Sequence, residues 1–122
     1  MKLKFNTILV SLLLLTNLVF ADADGPDYFK ITGVANDDVL NIRTDANARA
    51  TKIGEIPAGA RCVKNLGCTG GLTMIEYTEL SAEEKKAILR KRPRWCHIEY
   101  DGKRGWVSAR YLNESSCAKA YQ

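Results

Sequence analysis

The sequence is poor in the residues from which metal and catalytic sites are usually built. Its 122 residues include a single histidine, and its four cysteines form no C-x-x-C pair. A structural zinc site needs four closely spaced sulfur or nitrogen ligands, so we expect neither a metal nor another cofactor. Internal repeats and low-complexity tracts are absent from the sequence, which excludes a solenoid, and the length predicts one domain.

A long apolar run occurs once, and it is shorter than a membrane span. Lys2 and Lys4 precede an uncharged run over 5–20, whereas a spanning helix needs about 20 apolar residues. The small residue Ala21 follows the run, as at a cleavage site. The pattern predicts a secretory signal peptide over 1–21, and Ala21-Asp22-Ala23 offers a second cleavage site, after Ala23. An uncleaved anchor is the alternative, which polar residues within the run disfavour, so we expect no stable membrane anchor.

Charge of either sign is only weakly in excess. The chain has 18 Lys plus Arg and 14 Asp plus Glu, a formal net charge of +4. The predicted signal peptide carries two lysines and no acid, so its removal leaves +2. This weak balance, together with export, argues against nucleic acid as a partner.

The four cysteines all follow the predicted signal peptide. They are Cys62, Cys68, Cys96 and Cys117. An exported chain meets an oxidising compartment, so we expect two disulfides and a periplasmic or secreted location. Four cysteines allow three connectivities.

Short alternating apolar segments separated by turn residues predict an all-β domain. Five or six strands are expected after a flexible lead-in over 22–27, at 28–32, 39–43, 52–56, 61–67, 95–100 and 103–107. Asp101-Gly102 predicts a two-residue hairpin turn, because both central positions need positive φ. The expected core residues are Leu40, Ile42, Ile53, Ile98, Val107 and Leu112.

The segment 69–94 interrupts the β rhythm and contains signals for one helix. Ser81 and Glu84 have the S-x-x-E spacing of a capping box, and Pro93 stops the helical pattern. These signals predict a helix at about 82–91.

Three segments together resemble the bacterial SH3 family, also called SH3b or SH3-like type 3. They are Val39-Leu40-Asn41-Ile42-Arg43, then Ile53-Gly54-Glu55-Ile56-Pro57-Ala58-Gly59, and Gly105-Trp106-Val107-Ser108-Ala109-Arg110-Tyr111-Leu112. The family has a Val where this chain has Ile42, and the 69–94 excursion departs from the minimal domain. The chain resembles an exported single-domain subgroup that carries such an insertion.

The resemblance implies a small SH3-like β-barrel over 28–117, used as a module that binds peptidoglycan or its peptides. It also implies a groove lined by Trp95 and Tyr111, and an aromatic groove suits extended peptides. Arg43 points away from Leu40 and either lines this groove or is solvated. The alternative for the two aromatic residues is that they pack the excursion onto the barrel.

The predicted strand order favours one disulfide pairing. If the strands ending at Cys68 and beginning at Cys96 form a hairpin, a bond between these two residues closes the excursion. In the loop-entropy model such a bond adds on the order of 3 kcal/mol. Cys62–Cys117 then follows by elimination, and a Cys62–Cys68 bond would contradict this pairing.

Three side-chain groups invite a functional interpretation beside a structural one. Cys96-His97 has the composition of a nucleophile and base, but neighbours in a strand point to opposite faces. The acid pairs, Glu76 with Glu79 and Glu83 with Glu84, are explained by helix capping and dipole as well as by glycosidase chemistry. The basic run over 90–94 either contacts an anionic surface or is a solvated helix end.

We therefore expect an exported binding module without catalytic activity, whose partner is peptidoglycan or a cell-wall peptide. The alternative is a protein–protein module or a small inhibitor of an exported enzyme. In that case the 69–94 excursion presents Tyr77 and its apolar neighbours to another exported protein.

Overall fold

Residues 25–117, the part of the chain that the computed structural model describes, form one antiparallel sheet with two short helices. The strands are β1 Tyr28–Ile31, β2 Val39–Arg43, β3 Lys52–Pro57, β4 Val63–Thr69, β5 Trp95–Tyr100, β6 Lys103–Ser108 and β7 Leu112–Glu114. The helices are α1 Met74–Glu79 and α2 Ala82–Lys91, and a 3₁₀ turn, Ala109–Tyr111, precedes β7. The predicted signal peptide and residues 22–24 of the lead-in lie outside the described residues.

The predicted all-β class is confirmed, with two differences in the number of elements. Seven strands replace the expected five or six, because the short strand β7 pairs with β1. The helix predicted at 82–91 is confirmed, but a second helix, α1, precedes it. Within 25–117, neither helix has the length and hydropathy needed to cross a lipid bilayer.

The strands lie in the order β3-β2-β6-β5-β4-β1-β7. The β5–β6 hairpin turns at Asp101 and Gly102, whose φ angles are 52° and 77°, so both take the positive φ that this turn requires. The hairpin thereby places β6 between β5 and β2. As a result, the end of β5 nearest the excursion lies beside the end of β6 that leads to Ala109–Tyr111.

The core forms on one face of the sheet, from apolar residues of strands β1 to β6 and from Ala109. Its buried residues are Phe29, Ile31, Leu40, Ile42, Ile56, Val63, Cys96, Ile98, Val107 and Ala109. Leu112 is half-buried and packs against this cluster. The expectation for Ile53 is wrong, because Ile53 is exposed. It lies three residues from Ile56, and positions separated by an odd number point to opposite faces of a strand.

Two disulfides hold the chain at β4, and their pairing is the one that the predicted hairpin favours. Cys68 and Cys96 are paired residues of β4 and β5 and are bonded to each other. Cys62, just before β4, is bonded to Cys117, beyond β7. Disulfides persist in oxidising compartments, so the two bonds indicate that the chain folds in one.

The excursion is closed by backbone contacts as well as by the disulfide. Gly71 N donates to the carbonyl of Arg92 at 2.8 Å, and Ala109 N donates to the carbonyl of Arg94 at 2.9 Å. A side chain on Gly70 would stand 2.5 Å from the carbonyl oxygen of Pro93, so the two ends of the excursion approach more closely than other residues permit. The helices therefore project from a fixed base.

Candidate functional site

A groove beside the 3₁₀ turn that follows β6 contains three of the four binding residues predicted from the sequence. Arg43, Trp95 and Tyr111 all line it, and its volume is about 620 Å³. We call it the aromatic groove. Its other walls come from 33–35 and 38–41, from Ala48, and from Ser108 and Arg110. The β5–β6 hairpin explains why Trp95 and Tyr111 lie close together, because it brings the start of β5 next to the end of β6.

Tyr111 is held in the groove wall from two sides. It is half-buried and packs against the core cluster, and its carbonyl accepts a hydrogen bond from Thr32 N at 2.9 Å. Gly33 lies over the ring, because a Cβ at Gly33 would stand 3.5 Å from Tyr111 Cδ1. The remaining ring surface faces the groove and has the rigid apolar character that peptide and sugar ligands contact.

Trp95 lines the same groove but is largely enclosed. Only 8% of its surface is exposed, and it lies outside the core cluster that contains its neighbour Cys96. An indole buried to this degree contributes mainly to packing. Trp95 therefore forms the floor of the groove, and Tyr111 offers the more accessible ring.

The charged groups of the aromatic groove are two arginines and one aspartate. Arg43 Nη1 donates to the carbonyl of Ala50 at 3.0 Å, which fixes one side of the guanidinium against the loop after β2. Arg110 stands with its guanidinium carbon 5.3 Å from the ring centroid of Tyr111, within cation–π range. Asp38 Oδ1 accepts a hydrogen bond from Val39 N at 2.7 Å. The groove therefore combines aromatic surface with an excess of positive charge.

Tyr77 is the fourth binding residue predicted from the sequence, there as a contact for a protein partner, and it does not line the aromatic groove. It belongs to α1, is 62% exposed, and has Lys85 Nζ 4.5 Å from its ring centroid. Met74 and Ile75 of the same helix are 76% and 73% exposed. Tyr77 thus belongs to a separate apolar surface on the excursion, which we call the α1 surface and define by Met74, Ile75 and Tyr77.

Cys96 and His97 point in different directions, as expected of neighbours in a strand. The sulfur of Cys96 is bonded to Cys68 and lies in the core. The ring of His97 stacks on Trp106 of β6, with ring centroids 5.0 Å apart and planes inclined by 21°. His97 therefore forms an aromatic pair on the face opposite the core.

Two of the candidate acids are engaged in helix capping. Thr73 N donates to Glu76 Oε1 at 2.9 Å, and Ser81 N donates to Glu84 Oε1 at 2.9 Å. These backbone bonds are the main causes that lower the pKa of both carboxyls. A bond from Arg92 also lowers the pKa of Glu76. The general acid of a glycosidase has the opposite shift, a raised pKa.

The described part of the chain contains no cluster of side chains that could bind a metal ion. Across residues 25–117, no three or more His, Cys, Asp or Glu side chains are placed to share a metal ion. Arg110 also lines the aromatic groove and was not predicted from the sequence. Its position next to Tyr111 in the closing segment of the family pattern was the available signal.

Comparisons with models of known protein families, with curated proteins and with solved structures find no match for this chain.

Proposed function

We propose that this chain is an exported, non-catalytic binding module of the bacterial SH3 type, whose sheet closes into a small barrel. Its ligand is peptidoglycan or a cell-wall peptide, held in the aromatic groove. The observation that carries the proposal is the meeting of Arg43, Trp95 and Tyr111 in one groove of about 620 Å³. These residues come from β2, β5 and the 3₁₀ turn, so the meeting depends on the fold and not on sequence proximity.

The composition of the groove supports an extended chain as ligand. Aromatic-lined grooves bind extended peptides, because such peptides lose little conformational entropy on docking. Tyr111 and the floor formed by Trp95 offer apolar contact, while Arg43 and Arg110 offer donors to carbonyl or carboxylate oxygens. Cell-wall peptides present both kinds of group.

The test is co-sedimentation of the oxidised protein with purified peptidoglycan sacculi. Tyr111→Ala removes the accessible ring of the groove, and Tyr77→Ala is the matched control because it removes an exposed tyrosine from the α1 surface. We expect the protein to sediment with sacculi, Tyr77→Ala to sediment equally, and Tyr111→Ala to remain in the supernatant. Circular dichroism establishes that both variants are folded.

Two outcomes would contradict the proposal. A protein that stays in the supernatant at every salt concentration does not bind the wall. A Tyr111→Ala variant that is folded and still sediments places the wall-binding site outside the aromatic groove.

The exposure of the α1 surface favours a second candidate function, a protein–protein module or an inhibitor of an exported enzyme. Met74, Ile75 and Tyr77 are large apolar side chains on a helix with no buried residue, and exposed apolar patches often mark protein contacts. An assay of lysozyme activity on bacterial cells tests the inhibitor form of this function. The activity should fall when the protein is added, and Tyr77→Ala should restore it.

A further inference from the structure

A second groove adjoins the aromatic groove and shares two residues with it. It lies between α2 and the segment that follows β6, and its volume is about 580 Å³. Its lining residues are Lys86, Leu89, Arg90, Pro93, Arg94, Ser108, Ala109 and Arg110. Ser108 and Arg110 also line the aromatic groove. The two grooves therefore meet at these residues, and we call the second one the cationic groove.

Four basic residues and no acidic residue line the cationic groove. Lys86 and Arg90 come from α2, and Arg94 and Arg110 come from the two segments beside it. Within 25–117, the ion pairs join Lys52 to Glu55, Arg92 to Glu76 and Arg104 to Glu99. None of the four cations of the groove takes part in them. A negatively charged ligand would thus meet cations that carry no competing carboxylate.

The floor of the cationic groove is apolar and fixed in place. Leu89, Pro93 and Ala109 provide it. The hydrogen bond from Ala109 N to the carbonyl of Arg94, and the bond from Gly71 N to the carbonyl of Arg92, tie the floor to the base of the excursion. A preformed groove loses less entropy when a ligand binds, so this floor suits a ligand with apolar side chains.

We infer that the two grooves form one cleft, and that its ligand is an extended acidic peptide. The inference rests on the proposed function in taking the aromatic groove as part of the same binding site. A peptide that carries both acidic and small apolar residues offers carboxylates to the basic residues of the walls and apolar groups to the floor.

Two other anionic partners fit the cleft less well. A lipid bilayer presents a broad surface, whereas the cations surround a concave groove with an apolar floor. A nucleic acid offers phosphates to the cations but has no apolar side chain that would cover Leu89 and Pro93. The acidic peptide matches both the charge and the apolar floor.

The probe is a fluorescein-labelled twelve-residue peptide with glutamate at every second position and alanine or proline between. Its comparison peptide has glutamine in place of each glutamate. The variant Lys86→Gln/Arg90→Gln removes two charges from the cationic groove. The control Lys85→Gln/Lys91→Gln removes two charges from the same helix at residues that do not line it. Binding is measured by fluorescence anisotropy.

We expect the glutamate peptide to bind at least about tenfold more tightly than the glutamine peptide, because charge complementarity is lost in the latter. Lys86→Gln/Arg90→Gln should weaken binding of the glutamate peptide about tenfold, and the control variant should weaken it less than about twofold. Equal binding of the two peptides overturns the inference. Equal weakening by both double variants also overturns it, because net charge alone would then explain the binding.

Two further arms separate the inference from the proposed function. In the first arm, Tyr111→Ala binds the peptide normally and Lys86→Gln/Arg90→Gln does not. This result contradicts a single cleft and places the peptide in the cationic groove alone. In the second arm, Lys86→Gln/Arg90→Gln still binds sacculi, and the wild type does not bind the peptide. This result supports the proposed function and overturns the inference that the ligand is an acidic peptide. If phosphatidylglycerol vesicles displace the labelled peptide and unlabelled peptide does not, the basic residues bind a membrane surface, and the inference is overturned.

Discussion

The side chain of Arg94 lies across the backbone of Gly71. A Cβ atom on Gly71 would stand 3.0 Å from Arg94 Cβ and 3.1 Å from Arg94 Cδ, so a residue with a side chain would displace it. Gly71 is buried and has a φ of 78°, in the left-handed region that favours glycine. The contact positions the aliphatic part of the Arg94 side chain, and Arg94 is one of the four basic residues that line the cationic groove.

Gly71→Ala is expected to destabilise the protein more than Gly59→Ala does. Both glycines have positive φ, 78° and 77°, so both substitutions introduce a strain of about 1 to 2 kcal/mol. Only Gly71 has neighbours within 4 Å, and overpacking there should cost about 1 kcal/mol more. Urea denaturation of the two variants gives the comparison. Equal loss in free energy of unfolding would show that Arg94 moves aside freely.

Trp95→Ala is expected to destabilise the domain as a whole. Trp95 is 8% exposed, and removing a buried Trp side chain costs about 3 to 5 kcal/mol. Trp106 is half-buried and stacks on His97, so Trp106→Ala should cost less. Thermal unfolding followed by circular dichroism measures both. If Trp95→Ala keeps the wild-type melting temperature, the indole contributes little to packing, and this variant becomes a direct probe of the aromatic groove.

Removal of either disulfide is expected to lower stability, and removal of Cys62–Cys117 should lower it more. The sequence separations are 55 for Cys62–Cys117 and 28 for Cys68–Cys96. In the loop-entropy model each bond stabilises the fold by about 3 to 4 kcal/mol, and the longer loop lies at the upper end. Urea denaturation of the two double Cys→Ala variants tests this. The reverse order would show that strain or residual unfolded structure outweighs loop length.

The two capping carboxylates are expected to make stability depend on acid pH. The pKa of Glu76 and of Glu84 is lowered in the folded chain from an ordinary value of 4.5. A carboxyl of this kind adds stability above its unfolded pKa, and that stability is lost as the pH falls through the lower folded pKa. The window therefore begins near pH 4.5 and extends to lower pH.

Glutamine variants isolate this pH dependence, because an amide oxygen still accepts the capping bond but does not titrate. We expect the melting temperature of Glu76→Gln/Glu84→Gln to fall less than that of the wild type between about pH 6 and about pH 3. Glu79→Gln/Glu83→Gln is the matched control. A control that flattens the curve as strongly would assign the effect to general charge, not to the caps.

Local signals in the sequence predicted most of the fold. Asp101-Gly102 predicted the β5–β6 turn because the required positive φ is a property of the residues themselves. The Ser81 capping box predicted the beginning of α2 for the same reason. Signals of this kind do not depend on distant parts of the chain, and for this reason they were sufficient.

Features that depend on distant contacts were missed. Strand β7 has three residues and exists because it pairs with β1, at the other end of the described chain. Helix α1 begins with a capping box at Thr73 and Glu76, which was a usable signal. This signal was overlooked, and the six residues of α1 are too few to show an amphipathic period.

The sequence predicted which aromatic residues share a groove but not how exposed each of them is. The resemblance to the bacterial SH3 family led to Trp95 and Tyr111, which do line one groove. The enclosure of Trp95 follows from packing around β5, which alternation along a single strand does not reveal. Tyr77 was predicted to contact a protein partner as part of the 69–94 excursion, and it lies on α1, outside the lining of the aromatic groove.

The two disulfides have a consequence for a chain that a protease has cut. Both bonds join a cysteine before the exposed helices to a cysteine after them, and neither helix contains a buried residue. A single cut between α1 and α2 would therefore leave two fragments that remain covalently joined at two places. Such a nicked protein would migrate as one species in a non-reducing gel and separate only under reductant. The helices that bear the α1 surface and part of the cationic groove could thus be opened while the sheet stays assembled.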